Sequence, residues 1–203
     1  MATKQRGRPR SFDRDKALEQ ATMEFWRHGY EVTSVADLTR AMGIGAPSLY
    51  AAFGDKRTLF EEVLTAYGAT YGAFSARALA EEPTARRAVA RLLREAAAEF
   101  TDPAHPYGCL VISAAANCTT DAVSAGLREQ RNASLDVIES RIAADIAAGH
   151  LPEGTDARAL ARFSGAVFQG MSQQARDGAG RAELEAVAEA AMLAWPSERT
   201  RTH

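Results

Sequence analysis

Cysteine and histidine are scarce in this chain, with two of the former and four of the latter in 203 residues. Cys109 and Cys118 stand nine residues apart in a stretch that reads as helix, so a rise of ~1.5 Å per residue separates them by roughly 13 Å. An internal disulfide needs Cα atoms within about 7 Å. Bridging is therefore excluded if the segment is helical. His28, His105, His150 and His203 are scattered without ligand spacing, and neither a metal site nor a cofactor is expected. Long apolar runs are missing too: none approaches the roughly 20 residues needed to cross a bilayer. No apolar segment follows the basic start either, so a cytoplasmic protein with no membrane partner is expected. Runs of β-branched residues are few, and alanine, leucine, arginine and glutamate dominate, which points to an all-α chain.

The net charge is only −2, so bulk charge names no partner, but its distribution is uneven. Residues 1–60 carry ten Lys/Arg against seven Asp/Glu, whereas the remainder carries fourteen against nineteen. A basic front and an acidic back suggest an anionic partner for the front alone.

The first dozen residues, MATKQRGRPRSF, lack periodicity and read as a basic arm. A first helix is predicted from an N-cap at Asp13 to His28, with Gly29 as its stop. Thr33 and Ser34 open a second helix ending at Gly43, and Ser34 with Asp37 forms a capping-box-like pair. A third, Ala46 to Phe53, carries Pro47 in its first turn. One long pattern then runs from Asp55 to about Leu79, followed by helices at about 84–100, 108–118, 121–148, 156–175 and 181–195. The segment TDPAHPYG between 101 and 108 reads as a loop.

The third helix is short, and its outer side holds Ala46, Pro47, Ser48, Tyr50, Ala51 and Ala52. Two short helices joined by a tight glycine turn match a helix-turn-helix that enters a DNA major groove. Eight residues span about 12 Å, comparable with the groove width of about 12 Å. Tyr50 can give its hydroxyl to a phosphate, and Ser48 can bond a base or the backbone. Lys56, in the first turn of the next helix, meets the positive end of a helix dipole, a clash that a phosphate would reverse. Thr33 and Ser34 offer a similar site. The arm residues Arg6, Arg8 and Arg10 read either as a strand inserted in an A·T-rich minor groove or as a solvated tail that adds only charge.

The stretch FWRHGYEVTSVADLTRAMGIGAPSLYAAFGDKRTLFEEVL, with its G-Y-x-x-T-S-V-x-D-L, S-L-Y-x-x-F and D-K-x-x-L-F elements, resembles the DNA-binding segment of TetR/AcrR-family transcriptional regulators. The remainder resembles that family's helical region in size and layout, with weaker motifs such as YGCLVISAAANC and FSGAVFQGMSQQARDGA. The resemblance implies an arm and helix-turn-helix domain over 1–54 and an effector-binding and dimerisation domain over 55–203. It implies a homodimer on a palindromic double-stranded DNA operator, repressing until a small-molecule effector binds. The family's phosphate contacts fall on Thr33, Ser34, Tyr50 and Lys56, and its groove contacts on Ala46, Pro47 and Ser48. Larger polar groups common in such recognition helices are absent at Gly45, Ala51 and Ala52.

Toward the carboxy end, Phe163, Val167, Phe168 and Met171, then Leu184, Val187, Ala191 and Trp195, make more apolar surface than one packed side requires. Self-association is their expected use, shared with ordinary core packing. Tyr67, Tyr71, Phe74, Phe100, Tyr107 and Cys109 lie with Ser113 and Asn117 on segments that surround the family's ligand cavity. Mainly apolar walls with a few polar groups suit a small-molecule pocket. Cys109 follows a glycine at an expected helix start, which permits a lowered thiol pKa and a redox or electrophile sensor; burial as a small apolar side chain is the plainer fate. A DNA-binding architectural protein without effector is the other alternative, and a cysteine enzyme with His105 as base lacks an evident orienting acid. No enzymatic activity is expected.

Overall fold

Asp13 starts the first helix as the sequence predicts: its carboxylate accepts from the amides of Asp15 and Lys16, satisfying donors that a helix start leaves free. In this computed structural model, which describes residues 12–115 and 117–197, ten helices and no strand are found among the described residues. They are α1 (Arg14–Val32), α2 (Val35–Met42), α3 (Ala46–Phe53), α4 (Lys56–Ala69), α5 (Ala73–Glu81), α6 (Ala85–Glu99), α7 (Leu110–Ala115), α8 (Asp121–Ala147), α9 (Ala157–Arg176) and α10 (Arg181–Leu193). The expected all-α class is what the structure shows.

α1 breaks at Gly29, as expected, but a further turn continues to Val32. Ser34 then caps α2: its hydroxyl accepts from the Asp37 amide at 3.1 Å, and the Asp37 carboxylate accepts from the Ser34 amide at 3.1 Å. Gly43 closes α2 at φ 65° in the left-handed region, which a side chain would disfavour. The chain thereby reverses within three residues into α3, where Pro47 sits in the first turn. Leu49 and Phe53 are buried on the inner side of α3. They join Phe25, Leu38 and Phe60 under the first three helices, the Phe25 and Phe60 rings meeting edge-on with centroids 4.9 Å apart.

Two expectations of helix length change. The long pattern from Asp55 is two helices, α4 and α5, because the chain tightens where the Gly72 amide donates to the Tyr67 carbonyl at 2.8 Å. Tyr71 is drawn away from the helix line there, its hydroxyl donating to Glu19 of α1 at 2.6 Å. The helix expected over 108–118 is only α7. Beyond it the amides of Thr119 and Thr120 donate to the Glu31 carboxylate at 3.2 and 3.3 Å instead of continuing a helix.

α7 packs on α1, α5 and α10 pack on α6, and α8 runs along α9. Arg141 of α8 ties the corner between α5 and α6 by donating to the carbonyls of Leu79 and Glu82. α7 therefore lies between the amino-terminal three-helix unit and the carboxy-terminal helices, touching α1 on one side and α8 and α9 on the other.

Candidate nucleic-acid interface

The outer side of α3 presents Ala46, Pro47, Tyr50 and Ala51 as exposed residues, with Ser48 and Ala52 half-buried. Tyr50 is 51% exposed, an unusual state for an aromatic residue in so small a unit. Nothing on this side projects beyond the tyrosine, so a duplex could approach the α3 backbone closely. α3 is held from behind by Arg14, whose guanidinium lies 4.4 Å over the Phe53 ring, donates to the Ala52 carbonyl and pairs with Glu62 of α4 at 2.6 Å. This staple was not foreseen, since its partners are 38 and 48 residues away from Arg14.

The flanking polar groups divide differently from the expectation. Thr33 is buried and donates its hydroxyl to the Gly29 carbonyl at 2.7 Å, so it closes the kinked end of α1 and does not face outward. Ser34 is exposed, but its hydroxyl also donates to Asp37. Those hydrogen bonds, with Arg40, hold the Asp37 carboxyl below its usual range. Lys56 heads α4, where the dipole clash is relieved inside the chain: Asp55 caps the helix by accepting from the Thr58 amide at 2.7 Å. The Lys56 ammonium rests 4.3 Å over the Tyr30 ring and 3.5 Å from the Glu31 carbonyl. Partial burial pushes its pKa down, and the nearby Glu31 charge opposes that shift. Arg6, Arg8 and Arg10 lie outside the described residues.

Behind α7 lies a cavity of about 590 Å³, within the usual range of about 300–1,000 Å³ for small-molecule sites. Of the residues expected to line it, Tyr67, Phe74 and Cys109 do. Tyr71, Phe100, Tyr107, Ser113 and Asn117 do not. Tyr71 turns to Glu19, and Phe100 is fully buried against Phe74 and Phe168. Tyr107 is exposed, Ser113 accepts from Arg176 at 3.0 Å, and Asn117 is exposed beyond the end of α7. Residues of α8 and α9, among them Arg131, Ile138, Ser164 and Phe168, supply walls that local sequence pattern did not reveal. Phe168, expected at a dimer face, belongs here.

Cys109 stands at the start of α7 as expected, its carbonyl accepting from the Ser113 amide at 2.9 Å, but burial pushes its thiol up and outweighs the lowering by the Ile112 and Val111 amides. Tyr67 donates to its sulfur at 3.4 Å, and burial likewise raises the Tyr67 hydroxyl. Both cysteines are free. His105 does have an orienting acid, with Nε2 3.3 Å from Glu99. It is nevertheless stacked on Trp26 at 4.5 Å and buried as part of the junction.

The residues expected at a dimer face separate into two sets. Met171, Leu184, Ala191 and Trp195 are buried within the chain's own core. Phe163 remains exposed and Val167 and Val187 half-buried, joined by Leu193 at 87% exposure, which the expected set omitted.

The junction links the two halves. Arg176 of α9 donates both to the Trp26 carbonyl of α1 at 3.4 Å and to Ser113 of α7. Glu31 at the end of α1 receives Thr119 and Thr120, and their hydrogen bonds, Thr119 first, hold its carboxyl below the usual range. α7 thus contributes Val111 and Ile112 to the cavity while its other side is fastened to α1. No described helix is long and apolar enough to cross a membrane.

Residues 17–63 match the family model for bacterial regulatory proteins of the tetR family, and residues 85–192 match the tetracyclin repressor-like C-terminal domain. The HTH-type transcriptional repressor ComR of Escherichia coli (strain K12) is 38% identical over 199 residues, 95% of this chain and 93% of ComR. The HTH-type transcriptional repressor BdcR of the same organism is 32% identical over 172 residues, 85% of this chain and 83% of BdcR. A solved structure of a cysteine mutant of the TetR family transcriptional regulator CifR, complexed with 26-bp double-strand operator DNA, is similar with a TM-score of 0.88. It is 46% identical and covers 94% of this chain and all of that one. With a capped helix pair, an outward-facing short α3 and these matches along nearly the whole length, the chain belongs to the tetR family of bacterial regulatory proteins.

Proposed function

We propose that the protein is a transcriptional repressor that binds a palindromic operator as a homodimer and releases it when a small molecule enters the cavity behind α7. Residues 1–54 bind DNA in this reading, and 55–203 bind the effector and the second copy. The observation that carries it is α3: a two-turn helix, braced by Arg14, with only Ala46, Pro47, Ser48, Tyr50, Ala51 and Ala52 between its backbone and whatever it meets. Side chains this small let the backbone approach base edges and thymine methyl groups, while Tyr50 and Lys56 reach phosphates on either side. Arg6, Arg8 and Arg10 add affinity from the arm. The operator complex of CifR supports the same use of the fold.

The second copy is proposed to cover the exposed side of α9 and α10, where Phe163, Ala166, Ala186, Ala190 and Leu193 face outward. Small residues there would let helices pack closely. An effector filling the cavity would press on Val111 and Ile112 of α7, and the Arg176 and Glu31 hydrogen bonds would carry that displacement to α1 and so to the separation of the two α3 helices. Cys109 is assigned no sensing role, because its thiol is buried and its pKa raised.

The test is fluorescence anisotropy with duplexes covering the region upstream of the gene, over a salt series. The wild type should bind one palindromic site, and Lys56→Gln should weaken every duplex and reduce the log–log salt slope by about 1. Tyr50→Phe should weaken binding without altering base preference. A monomer in sedimentation that binds no duplex at low ionic strength would overturn the proposal.

A further inference from the structure

The walls of the cavity behind α7 are apolar for most of their extent, with Leu79, Leu92, Val111, Leu135, Ile138 and Phe168 among them. The polar groups within reach are mostly committed elsewhere. The Ser134 hydroxyl donates to the Gln130 carbonyl at 3.1 Å, and that of Ser164 to the Leu160 carbonyl at 2.8 Å. The Tyr67 hydroxyl donates to Cys109. Arg131 of α8 differs: its Nη1 is buried and has no hydrogen-bond partner. It is also the one charged residue among the described lining, which contains no aspartate or glutamate. None of the ion pairs among the described residues involves it.

Arg131 as a whole is half-buried, but its buried Nη1 donor without an acceptor is costly, and a ligand acceptor would relieve that cost. The described lining holds no carboxylate to meet it, so an acceptor brought by the occupant would complete it. We propose that the cavity is selective for a small amphiphilic anion, an apolar body with a single carboxylate, whose head group accepts from Arg131 while its tail lies among the α5, α7 and α9 side chains. A planar guanidinium fork matches a carboxylate in two parallel hydrogen bonds, which an alcohol or an ester cannot reproduce. The inference rests on the reading of this cavity as the effector site and adds the ligand's charge class to it.

Isothermal titration calorimetry of the full chain with decanoate, decan-1-ol and decylammonium tests it directly. Decanoate should bind tighter than decanol, and decylammonium weakest. Arg131→Gln should weaken decanoate by about ten- to a hundred-fold, the value of a charge-assisted hydrogen bond, and leave decanol unchanged. Ile138→Trp, which fills the cavity, should abolish both. Equal binding of decanoate and decanol to the wild type, or tighter binding of decylammonium, overturns the anion assignment while leaving the cavity as an effector site. Failure of all three to bind overturns the assignment and removes support for the effector site, and operator binding by the wild type is then scored separately. Because the wild-type ranking alone decides the charge class, the inference stays falsifiable even if Arg131→Gln does not fold.

Discussion

Gly108 is where the loop leading into α7 meets α9, and replacing it with alanine should loosen the joint between the cavity and the DNA-binding unit. Its backbone sits at φ 79°, in the left-handed region. A Cβ added there would lie 2.6 Å from the Ser172 carbonyl oxygen and 2.9 Å from its hydroxyl. The first is hydrogen-bonded helix backbone toward the carboxy-terminal end of α9, so the loop must move instead. Two hydrogen bonds depend on its present position: Gly108 N–H to the Phe100 carbonyl at 2.9 Å, and Cys109 N–H to the Ser172 hydroxyl at 2.8 Å. The left-handed penalty, the overpacking and the weakened hydrogen bonds together cost about 3–6 kcal/mol, against a typical total stability of about 5–15 kcal/mol. With a urea m-value of about 2 kcal/mol/M, the unfolding midpoint should fall by about 1.5–3 M at fixed protein concentration. Gly126→Ala is the matched control, since a Cβ there meets nothing within 4 Å inside α8; it should raise stability by about 0.5–1 kcal/mol. A Gly108→Ala protein that unfolds at the wild-type midpoint would refute the claim that this entry to α7 is sterically fixed by α9.

Three further outcomes are expected. His105 is subject to burial, which alone lowers an imidazole pKa, but hydrogen bonds to Glu99 and the Pro106 carbonyl and the charges of Glu99 and Asp102 outweigh it and raise the value above 6.5. The stability it contributes is therefore fully present below about pH 6.5 and is lost as pH rises through the higher folded value; urea midpoints should decline across that window in the wild type and less in His105→Gln, and parallel profiles would contradict this. Glu31→Gln removes the charge that receives Thr119 and Thr120, so deuterium uptake by residues 117–120 should rise while α8 stays protected; unchanged uptake would mean that the clamp carries no strain between the halves. Gly165→Ala places its Cβ against the flexible end of Leu135, a neighbour that also lines the cavity. The leucine should swing inward, so decanoate binding weakens while circular dichroism is unchanged, and full-strength binding would show that Leu135 relaxes another way.

What could be read from the sequence follows from how local each cause is. The turn between α2 and α3 rests on a glycine at positive φ, a box between Ser34 and Asp37, and a proline in the next first turn, all within fourteen residues. Each acts on its neighbours, so pattern alone located the helix pair. The break between α4 and α5 was hidden, because one side of it is a tyrosine reaching 52 residues back to Glu19. The cavity was half visible for the same reason: Tyr67, Phe74 and Cys109 stand on segments with evident apolar character, whereas Arg131 looks like any solvated arginine on a long helix until α8 is laid along α9. Thr33 and Ser34 make the distinction most sharply. They are adjacent, chemically alike and both plausible phosphate donors, yet the kink at Gly29 turns the first hydroxyl inward to a carbonyl and leaves the second at the surface as a cap. Residue type therefore states what a side chain can bond, and the path of the preceding backbone decides whether that bond is made inside the core, as at Thr33, or at the surface, as at Ser34.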